Sequence, residues 1–355
     1  GRAMRKLIID KSAVKHNLAV IKERAAGAVI YGVLTGNGGG AGVVPLAQLL
    51  RAEGIGRFAV YEAKEAEALR QAGFVDEEIL MLRSTTDREE LERLVDLNVV
   101  CTISSVDTGM ALNALAENRS TVVEAHIQVD TGMGFGGFLV GEPEKILLAY
   151  RSLPNVALSG IYTQLHAARP NDPEARQQLE QFHQVLSTIH TAGFETGVIH
   201  AAGSFALLHN DSALLDGVRI GSAILGRCRR TKDDRLKTVG YCEAPLAEVR
   251  WLPKGHTIGA DKPVVLKKPT RVAVLPVGYH NGFGVIRPRE TGLLALLAQW
   301  RRARRRSVRV GDQRAPLLGP IGATETLLDV TRLRCSAGDL ATFDLDPLFA
   351  RGMVI

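Results

Sequence analysis

The sequence predicts an α/β protein, a (β/α)8 TIM-like barrel followed by a mostly β C-terminal domain. From residue 11 to about residue 235, short apolar runs alternate with longer amphipathic runs, the pattern of parallel strands joined by helices. Beyond Leu236 the long amphipathic runs give way to short runs separated by turn residues, which is typical of a β domain. We therefore assign residues 1–236 to the barrel and residues 237–355 to the β domain, with a basic insertion near residues 287–306.

The barrel strands are predicted at the short apolar runs, and the helices where apolar residues recur at helical spacing. The predicted barrel strands are residues 29–34, 57–61, 79–82, 99–103, 122–129, 158–162, 197–201 and 217–220. The predicted helices include residues 43–53, 63–72, 87–95, 142–152 and 173–192. The predicted strands of the β domain include residues 247–252, 264–266, 271–277, 307–310, 326–330 and 340–344.

The composition is that of an ordinary globular protein, with 355 residues of which 46% are hydrophobic and 23% charged. No apolar run approaches the roughly 18 residues that span a bilayer, and the N-terminus lacks the pattern of a signal peptide. The four cysteines, Cys101, Cys228, Cys242 and Cys335, have no CxxC spacing, which argues against a zinc site or a disulfide scaffold. We therefore expect a cytoplasmic protein.

The net charge of +6 is unevenly distributed, with a dense basic block at Arg301–Arg306 and a smaller cluster at Arg227, Arg229 and Arg230. Clustered arginines concentrate positive potential and can contact nucleic acid or anionic lipid. A solvated helix end or loop is the favoured interpretation, because no RNA- or DNA-binding module accompanies the block. We therefore expect neither a nucleic-acid nor a membrane partner.

A glycine-rich loop, VLTGNGGGAG at residues 33–42, follows the first predicted barrel strand and precedes a predicted helix. A strand that passes through glycines into a helix is a frequent phosphate-binding arrangement. The loop is therefore a first candidate for an anion site, with glycines that permit positive φ.

Four further motifs lie at predicted strand ends, where a parallel barrel carries its chemistry. They are HIQVDTGMGFGGF at residues 126–138, GIYTQLH at 160–166, HAAGS at 200–204 and VRIGS at 218–222. Together with VKHN at residues 14–17 and GYHNG at 278–282, they resemble the alanine racemase family of fold-type III pyridoxal-phosphate enzymes. The resemblance covers almost the whole chain, and it implies a homodimer in which the β domain of one subunit approaches the barrel mouth of the other.

The resemblance also implies that this chain has lost the reactive groups of the family. The lysine that forms the Schiff base with the cofactor aligns with Thr35, and the tyrosine that acts as second base aligns with Ala260. A histidine, an arginine and a lysine of the family align with Gln164, Phe135 and Gln128. Other substituted family positions are Gly39, Gly203, Asn281, Ala323 and Thr324. A threonine hydroxyl cannot form a Schiff base and is a poor base, so we expect neither covalently bound pyridoxal phosphate nor racemase activity.

Several cofactor contacts of the family are retained. Arg219 aligns with the arginine that faces the pyridine nitrogen, and Ser204, Gly221 and Ser222 align with phosphate contacts. These groups can hold pyridoxal phosphate non-covalently, or a phosphate or sulfate ion. The first hypothesis is therefore a pseudoenzyme that binds a small anionic or amino-acid-like ligand.

The alternative hypothesis is a repurposed enzyme of the racemase family that uses non-lysine chemistry in the old cavity. Its candidate groups are His126, Asp130, His166, Asp261 and His280. A metal site formed by His126, Asp130, His166 and His200 stays open, although no HxH or HExxH spacing supports it. For each lone histidine, a satisfied polar side chain near a strand end is the favoured interpretation.

Overall fold

The structure is a computed structural model that describes residues 4–166, 171–209, 211–228, 235–260, 262–287 and 308–355. The chain divides into a barrel unit, residues 11–238, and a β unit that joins the N-terminal residues up to Asp10 to residues 239–355. Strand β1 (Lys6–Ile8) pairs antiparallel with Tyr241–Glu243, and Leu7 is buried in the core of the β unit. The assignment of residues 1–236 to the barrel is therefore wrong for residues 4–10, whose apolar side chains pack with the C-terminal sheet.

The predicted parallel barrel is confirmed. Its strands are β2 (Val29–Val33), β3 (Arg57–Val60), β4 (Glu78–Met81), β5 (Cys101–Ile103), β6 (Val123–Asp130), β7 (Phe138–Leu139), β8 (Val156–Tyr162), β9 (Val198–Ala202) and β10 (Gly217–Ile220). The parallel strands follow the order β4-β3-β2-β10-β9-β8-β6-β5, and the short β7 pairs with β6. A bridge between Leu80 and Val100 joins the two ends of this order, so the barrel is nearly closed.

Helices connect the strands on the outside of the barrel. They are α1 (Lys11–Ala25), α2 (Thr35–Gly39), α3 (Val43–Ala52), α4 (Ala63–Gln71), α5 (Arg88–Asp96), α6 (Val106–Asn118), α7 (Pro143–Ser152), α8 (Pro173–Thr191) and α9 (Ser204–His209). Asp87 and Asp172 cap α5 and α8 by accepting hydrogen bonds from backbone N–H groups of the first turn. Within the described ranges, no helix has the length and apolar character needed to cross a membrane.

The barrel interior is filled by side chains rather than open. One core cluster consists of Tyr31, Ala59, Leu80, Leu82, Val100 and Tyr162, all buried. Alternate residues of each strand point inward, so large and small side chains from neighbouring strands share these layers. A packed barrel confines ligand binding to the mouth, where the carboxyl ends of the strands carry their loops.

The glycine-rich loop is a left-handed turn held by its own backbone hydrogen bonds and not an open anion-binding loop. Gly36, Asn37 and Gly38 have φ values of 64°, 54° and 65° inside α2. The Gly38 N–H donates to the Leu34 carbonyl at 2.9 Å, and the Gly40 N–H donates to the Gly36 carbonyl at 2.9 Å. Consecutive residues in this conformation require glycine or asparagine, since a Cβ is disfavoured there. The glycines of residues 36–40 are thus explained by backbone geometry.

The β unit has a mostly β architecture, as expected. Its strands after β1 are β11 (Tyr241–Pro245), β12 (Glu248–Leu252), β13 (Thr257–Ile258), β14 (Val264–Val265), β15 (Thr270–Leu275), β16 (Val308–Val310), β17 (Gln313–Ala315), β18 (Thr326–Asp329) and β19 (Leu340–Asp344). They form a five-stranded sheet, β1-β11-β19-β16-β17, a three-stranded sheet, β12-β15-β18, and the ribbon β13-β14. Arg287 pairs with Asp346 at 2.7 Å, whereas the rest of the basic insertion, including Arg301–Arg306, lies outside the described residues, as do Arg229 and Arg230.

Gly38→Ala tests the left-handed turn. An alanine Cβ at this φ would also lie 3.3 Å from the Val43 nitrogen, so we expect the free energy of unfolding to fall by about 1–2 kcal/mol in urea titrations. Gly141→Ala is the matched control, because position 141 has no positive φ and no heavy atom within 4 Å of the added methyl. Equal stability of the two variants would contradict the strained conformation.

Candidate functional site

The mouth of the barrel brings together the site positions that follow strands in the sequence. Thr35 begins the turn after β2, Gln164 follows β8, and Ser204 begins α9 after β9. Gln128 lies near the end of β6, and Arg219 lies in β10. All these strands are parallel, so their carboxyl ends open on the same side of the barrel. The structure therefore places these predicted residues at one end of the barrel unit.

Arg219 is the charged centre of this site, with only 6% of its surface exposed. Its Nη1 donates to Nδ1 of His200 at 2.8 Å, and its Nη2 donates to the carbonyls of Thr163 and Ala201 at 2.9 and 3.3 Å. The guanidinium also lies over the ring of Tyr162, 5.2 Å from its centroid. Among the described side chains, no carboxylate forms an ion pair with Arg219. Burial lowers its pKa to about 10, so the side chain stays a cation at neutral pH.

Two buried histidines continue the hydrogen-bond chain from Arg219. Because Arg219 can only donate, His200 accepts at Nδ1 and carries its proton on Nε2, which donates to Nδ1 of His126 at 2.9 Å. Burial, followed by the positive charge of Arg219, lowers the pKa of His126 to about 4 and that of His200 well below 6.5. Both rings are therefore neutral at pH 7. Gly160 leaves room for this arrangement, since a Cβ there would lie 2.5 Å from the His126 ring.

Ser204 organises the backbone where the resemblance predicts a phosphate contact. Its hydroxyl oxygen accepts hydrogen bonds from the N–H groups of Gly221 and Ala223 at 3.1 and 3.2 Å. A serine hydroxyl has two acceptor positions and one donor. With both acceptor positions occupied by backbone, the remaining O–H is a donor for a further acceptor group. Ser222, between these two amides, is half-buried.

Gln128 lies on the inner face of β6, with a largely buried side chain whose amide atoms keep contact with solvent. It lies two residues beyond the inward His126 and in register with Tyr162 of β8. Only 8% of its surface is exposed, and no side chain or backbone group of the described residues forms a hydrogen bond with its amide. The glycine turn after β6 passes over it, because a methyl group on Gly136 would lie 3.6 Å from its Oε1.

Gln178 of α8 is a structural link that the sequence interpretation missed. Its Nε2 donates to the carbonyl of Gln164 at 3.0 Å and to Oγ1 of Thr131 at 3.2 Å, while its Oε1 accepts from the His166 N–H at 2.8 Å. The only sequence signal is a polar residue on the buried face of a helix. Gln178 therefore fixes the loop after β8, and the His166 side chain faces Glu174 at 3.7 Å instead of the barrel.

Two other predicted positions of the barrel have different environments. The Oδ1 of Asp130 accepts hydrogen bonds from the N–H groups of Gly132 and Gly134 at 2.8 and 3.2 Å, which holds the glycine turn. Phe135 at the tip of that turn is 76% exposed. Asp130 thus has a structural role, and Phe135 contributes no polar group to the mouth.

The predicted positions in the β unit are described within that unit alone. Asn281 accepts from the Gly278 N–H at 3.1 Å and donates to the Arg351 carbonyl at 3.1 Å, so it is structural. The His280 ring contacts Tyr279 edge to face, and the His280 N–H donates to the Ala323 carbonyl. Ala260 is exposed, and Asp261 lies outside the described residues.

The metal set that the sequence left open gains no support. Over the described ranges, no three His, Cys, Asp or Glu side chains are grouped as metal ligands. His126 and His200 instead bond to each other, while Asp130 and His166 have the separate contacts described above.

Family comparisons cover both units. A family model described as "Alanine racemase, N-terminal domain" matches residues 9–228, and one described as "Alanine racemase, C-terminal domain" matches residues 239–345. The alanine racemase of Carboxydothermus hydrogenoformans is 32% identical over 282 residues, 78% of this chain and 75% of that protein. The alanine racemase of Desulfovibrio desulfuricans is 31% identical over 341 residues, 93% of this chain and 86% of that protein.

Solved structures share the fold. The alanine racemase from D-cycloserine-producing Streptomyces lavendulae has a TM-score of 0.85 and 23% identity, over 98% of this chain and 88% of that one. The Bartonella henselae alanine racemase, solved with covalently bound pyridoxal phosphate, has a TM-score of 0.80 and 22% identity, over 96% of this chain and 90% of that one. At these identities, the similarity shows only that the folds of the barrel and of the β domain are shared.

The neutral histidines predict a pH dependence of stability. The folded pKa of His126 is lowered to about 4 from 6.5, so between these values the unfolded chain binds a proton that the folded chain does not. The free energy of unfolding should therefore fall as the pH is lowered, by about 2 kcal/mol from about pH 6.5 to about pH 5, measured by urea titration. His126→Asn should reduce this slope, whereas His183→Asn, at an exposed position of α8, should not. Equal slopes in the two variants would contradict the assignment.

Proposed function

The chain belongs to the alanine racemase family, and from that premise we propose that it is a pseudoenzyme that binds a small anionic ligand at the barrel mouth. The observation that carries this proposal is a fully buried Arg219 with no carboxylate partner among the described residues. The proposal treats ligand binding and catalysis as separate properties. The chain keeps groups that bind an anion and lacks the groups that react.

A covalently held pyridoxal phosphate does not fit the residues of this chain. At the end of β2 the side chain available is the hydroxyl of Thr35, which forms no Schiff base. The sequence contains no lysine between Arg24 and Ala63, so no shift of the loop supplies one. The left-handed turn that follows Thr35 has the further effect of committing the loop backbone to its own hydrogen bonds.

The bases for racemisation are also missing. Racemisation removes the α-proton from one face of an amino acid and returns a proton on the other, which needs an acid or base on each side. Neither Thr35 nor Ala260 can take a proton at neutral pH. Gln128 and Gln164 are uncharged amides at two more positions where the family has ionisable groups. No proton transfer is therefore assigned to this chain.

The retained groups suit an anion. Taking a guanidinium out of water is costly unless charge or hydrogen bonds compensate for it, and among the described residues Arg219 has hydrogen bonds but no carboxylate partner. The O–H of Ser204 is directed by two backbone amides and is left as a donor. A carboxylate, phosphate or sulfate that accepts from such donors would complete the charge balance of the mouth. A non-covalently bound pyridoxal phosphate belongs to the same class of ligand.

A repurposed enzyme is the less supported alternative. Its two buried candidates, His126 and His200, bond to each other and are neutral through burial. Asp130 holds a turn, and His166 faces Glu174. These four barrel candidates thus each have a structural contact.

The cellular setting and the assembly are proposals. All four cysteines are buried, and we propose a cytoplasmic protein, as the composition leads us to expect. We also expect a homodimer, which light scattering of the purified protein would detect.

Purified protein incubated with pyridoxal phosphate should show no turnover of L- or D-alanine and, apart from adducts on exposed lysines, no cofactor trapped by borohydride at the barrel mouth. Mass spectrometry of the reduced protein locates any adduct. Thr35→Lys, which places an amine at the end of β2, should gain an adduct at that position and provides the matched comparison. Turnover by the unaltered protein, together with a trapped adduct, would contradict the loss of cofactor chemistry.

A further inference from the structure

A groove of about 580 Å³ lies entirely within the β unit, and the proposed function makes no use of it. Cavities that bind small molecules usually measure roughly 300–1,000 Å³. The lining residues come from the N-terminal segment, the end of β11, the residue after β15 and the C-terminal segment. They are Met4, Arg5, Pro245, Pro276, Gly352, Met353 and Val354.

The backbone around this groove is held by hydrogen bonds. The Val354 N–H donates to the Arg5 carbonyl at 3.1 Å, and the Leu7 N–H donates to the Val354 carbonyl at 2.7 Å. Val354 is therefore bridged to the N-terminal strand β1. Pro245 and Pro276 have φ fixed by their rings. A groove with such a backbone needs little ordering when a ligand binds, which lowers the entropic cost of binding.

Arg5 gives the groove a positive charge in a fixed position. It lies two residues before Leu7, on the face of the strand that carries a core side chain. Its Nε donates to the Gly352 carbonyl at 3.2 Å, and its Nη1 donates to the Pro276 carbonyl at 3.0 Å. Over the described ranges, no carboxylate pairs with Arg5 and no protein group accepts from its Nη2. The guanidinium is thus oriented by two carbonyls and keeps one nitrogen for a further acceptor.

The side chains beside this cation are apolar. Met4 and Val354 are exposed, and Met353 is partly buried against the core of the β unit. Apolar surface next to an oriented guanidinium is complementary to a ligand that has an aliphatic chain and one carboxylate. The seven lining residues are far fewer than the roughly 20–30 residues that each side of a stable protein interface contributes, which favours a small molecule over a protein partner.

We propose that this groove is a binding site for a small aliphatic monocarboxylate. The inference goes beyond the anion site of the barrel mouth and does not depend on it. The carboxylate accepts from Nη2 of Arg5 and balances its charge, while the aliphatic chain covers Met4, Met353 and Val354. The charge of the groove selects a carboxylate over an alcohol or an amine, and its apolar surface selects a longer chain over a shorter one.

Four probes separate the charge of the ligand from the length of its chain in isothermal titration calorimetry of the full chain. Hexanoate should bind roughly tenfold more tightly than butyrate, because it buries two more methylene groups. Hexan-1-ol should bind roughly tenfold more weakly than hexanoate, because it gains no charge-assisted hydrogen bond from Arg5. Hexylamine should bind more weakly still, because Arg5 repels its ammonium group.

Variants assign the binding to this groove. Arg5→Met removes the charge, so hexanoate should bind roughly tenfold more weakly and no better than hexan-1-ol. Arg5→Lys keeps the charge and should keep the preference for hexanoate, which shows whether a folding defect explains the methionine result. Met4→Ser should reduce the advantage of hexanoate over butyrate. Arg309→Met, at an exposed position of β16 in the same unit, is the matched control and should bind hexanoate like the unaltered protein. Circular dichroism of each variant verifies the fold.

Hexanoate binding that requires a cation at position 5 supports the inference. Absence of hexanoate binding to the unaltered protein, or equal binding of hexanoate and hexan-1-ol, overturns it. Unchanged hexanoate binding by a folded Arg5→Met variant also overturns it, because the ligand then occupies another site. Arg219 is unaltered in all these variants, so each of these results leaves the proposed anion site of the barrel mouth to its own test.

Discussion

The guanidinium of Arg219 is the group on which the barrel mouth depends. A cation buried this deeply is stable only when hydrogen bonds or an opposite charge replace its hydration. Its hydrogen bonds reach the loop after β8 through Thr163, β9 through His200 and Ala201, and so fix three neighbouring strand ends relative to one another. The same cation, together with burial, holds His200 in the neutral state. Architecture and electrostatics of the mouth therefore share one cause.

The proposed loss of cofactor chemistry is compatible with the proposed anion site, because the two involve different atoms. Covalent attachment and proton transfer need an amine and bases, and at the positions that the family resemblance aligns with those groups this chain has Thr35, Gln164 and Ala260. Anion binding needs a buried cation and oriented donors, which Arg219 and Ser204 supply. The substitutions thus leave a mouth that is polar, positively charged and poor in bases. We propose that such a mouth binds an anion without changing it chemically.

Most barrel strands were predictable to within one or two residues, because parallel strands buried on both faces appear as apolar runs. The N-terminal strand was misassigned, since a short run such as Lys6–Ile8 does not indicate which sheet it joins. The glycines of the first loop indicated positive φ, but the hydrogen bonds that close a left-handed turn depend on atoms several residues apart. Gln178 was not predicted, because it contacts the site from a helix and not from a strand end. The neutral state of His126 could not be predicted either, because it depends on contacts made across the barrel.

The central claim is that Arg219 binds an anion. Calorimetric titration of inorganic phosphate into three forms of the protein tests this claim most directly. Arg219→Met should abolish binding, while Arg176→Met, at an exposed position of α8, should bind like the unaltered protein. Arg219→Lys keeps the positive charge and guards against loss of folding in the methionine variant. The account predicts binding that requires a cation at position 219. Absence of binding to the unaltered protein, or equal binding by a folded Arg219→Met variant, would contradict it.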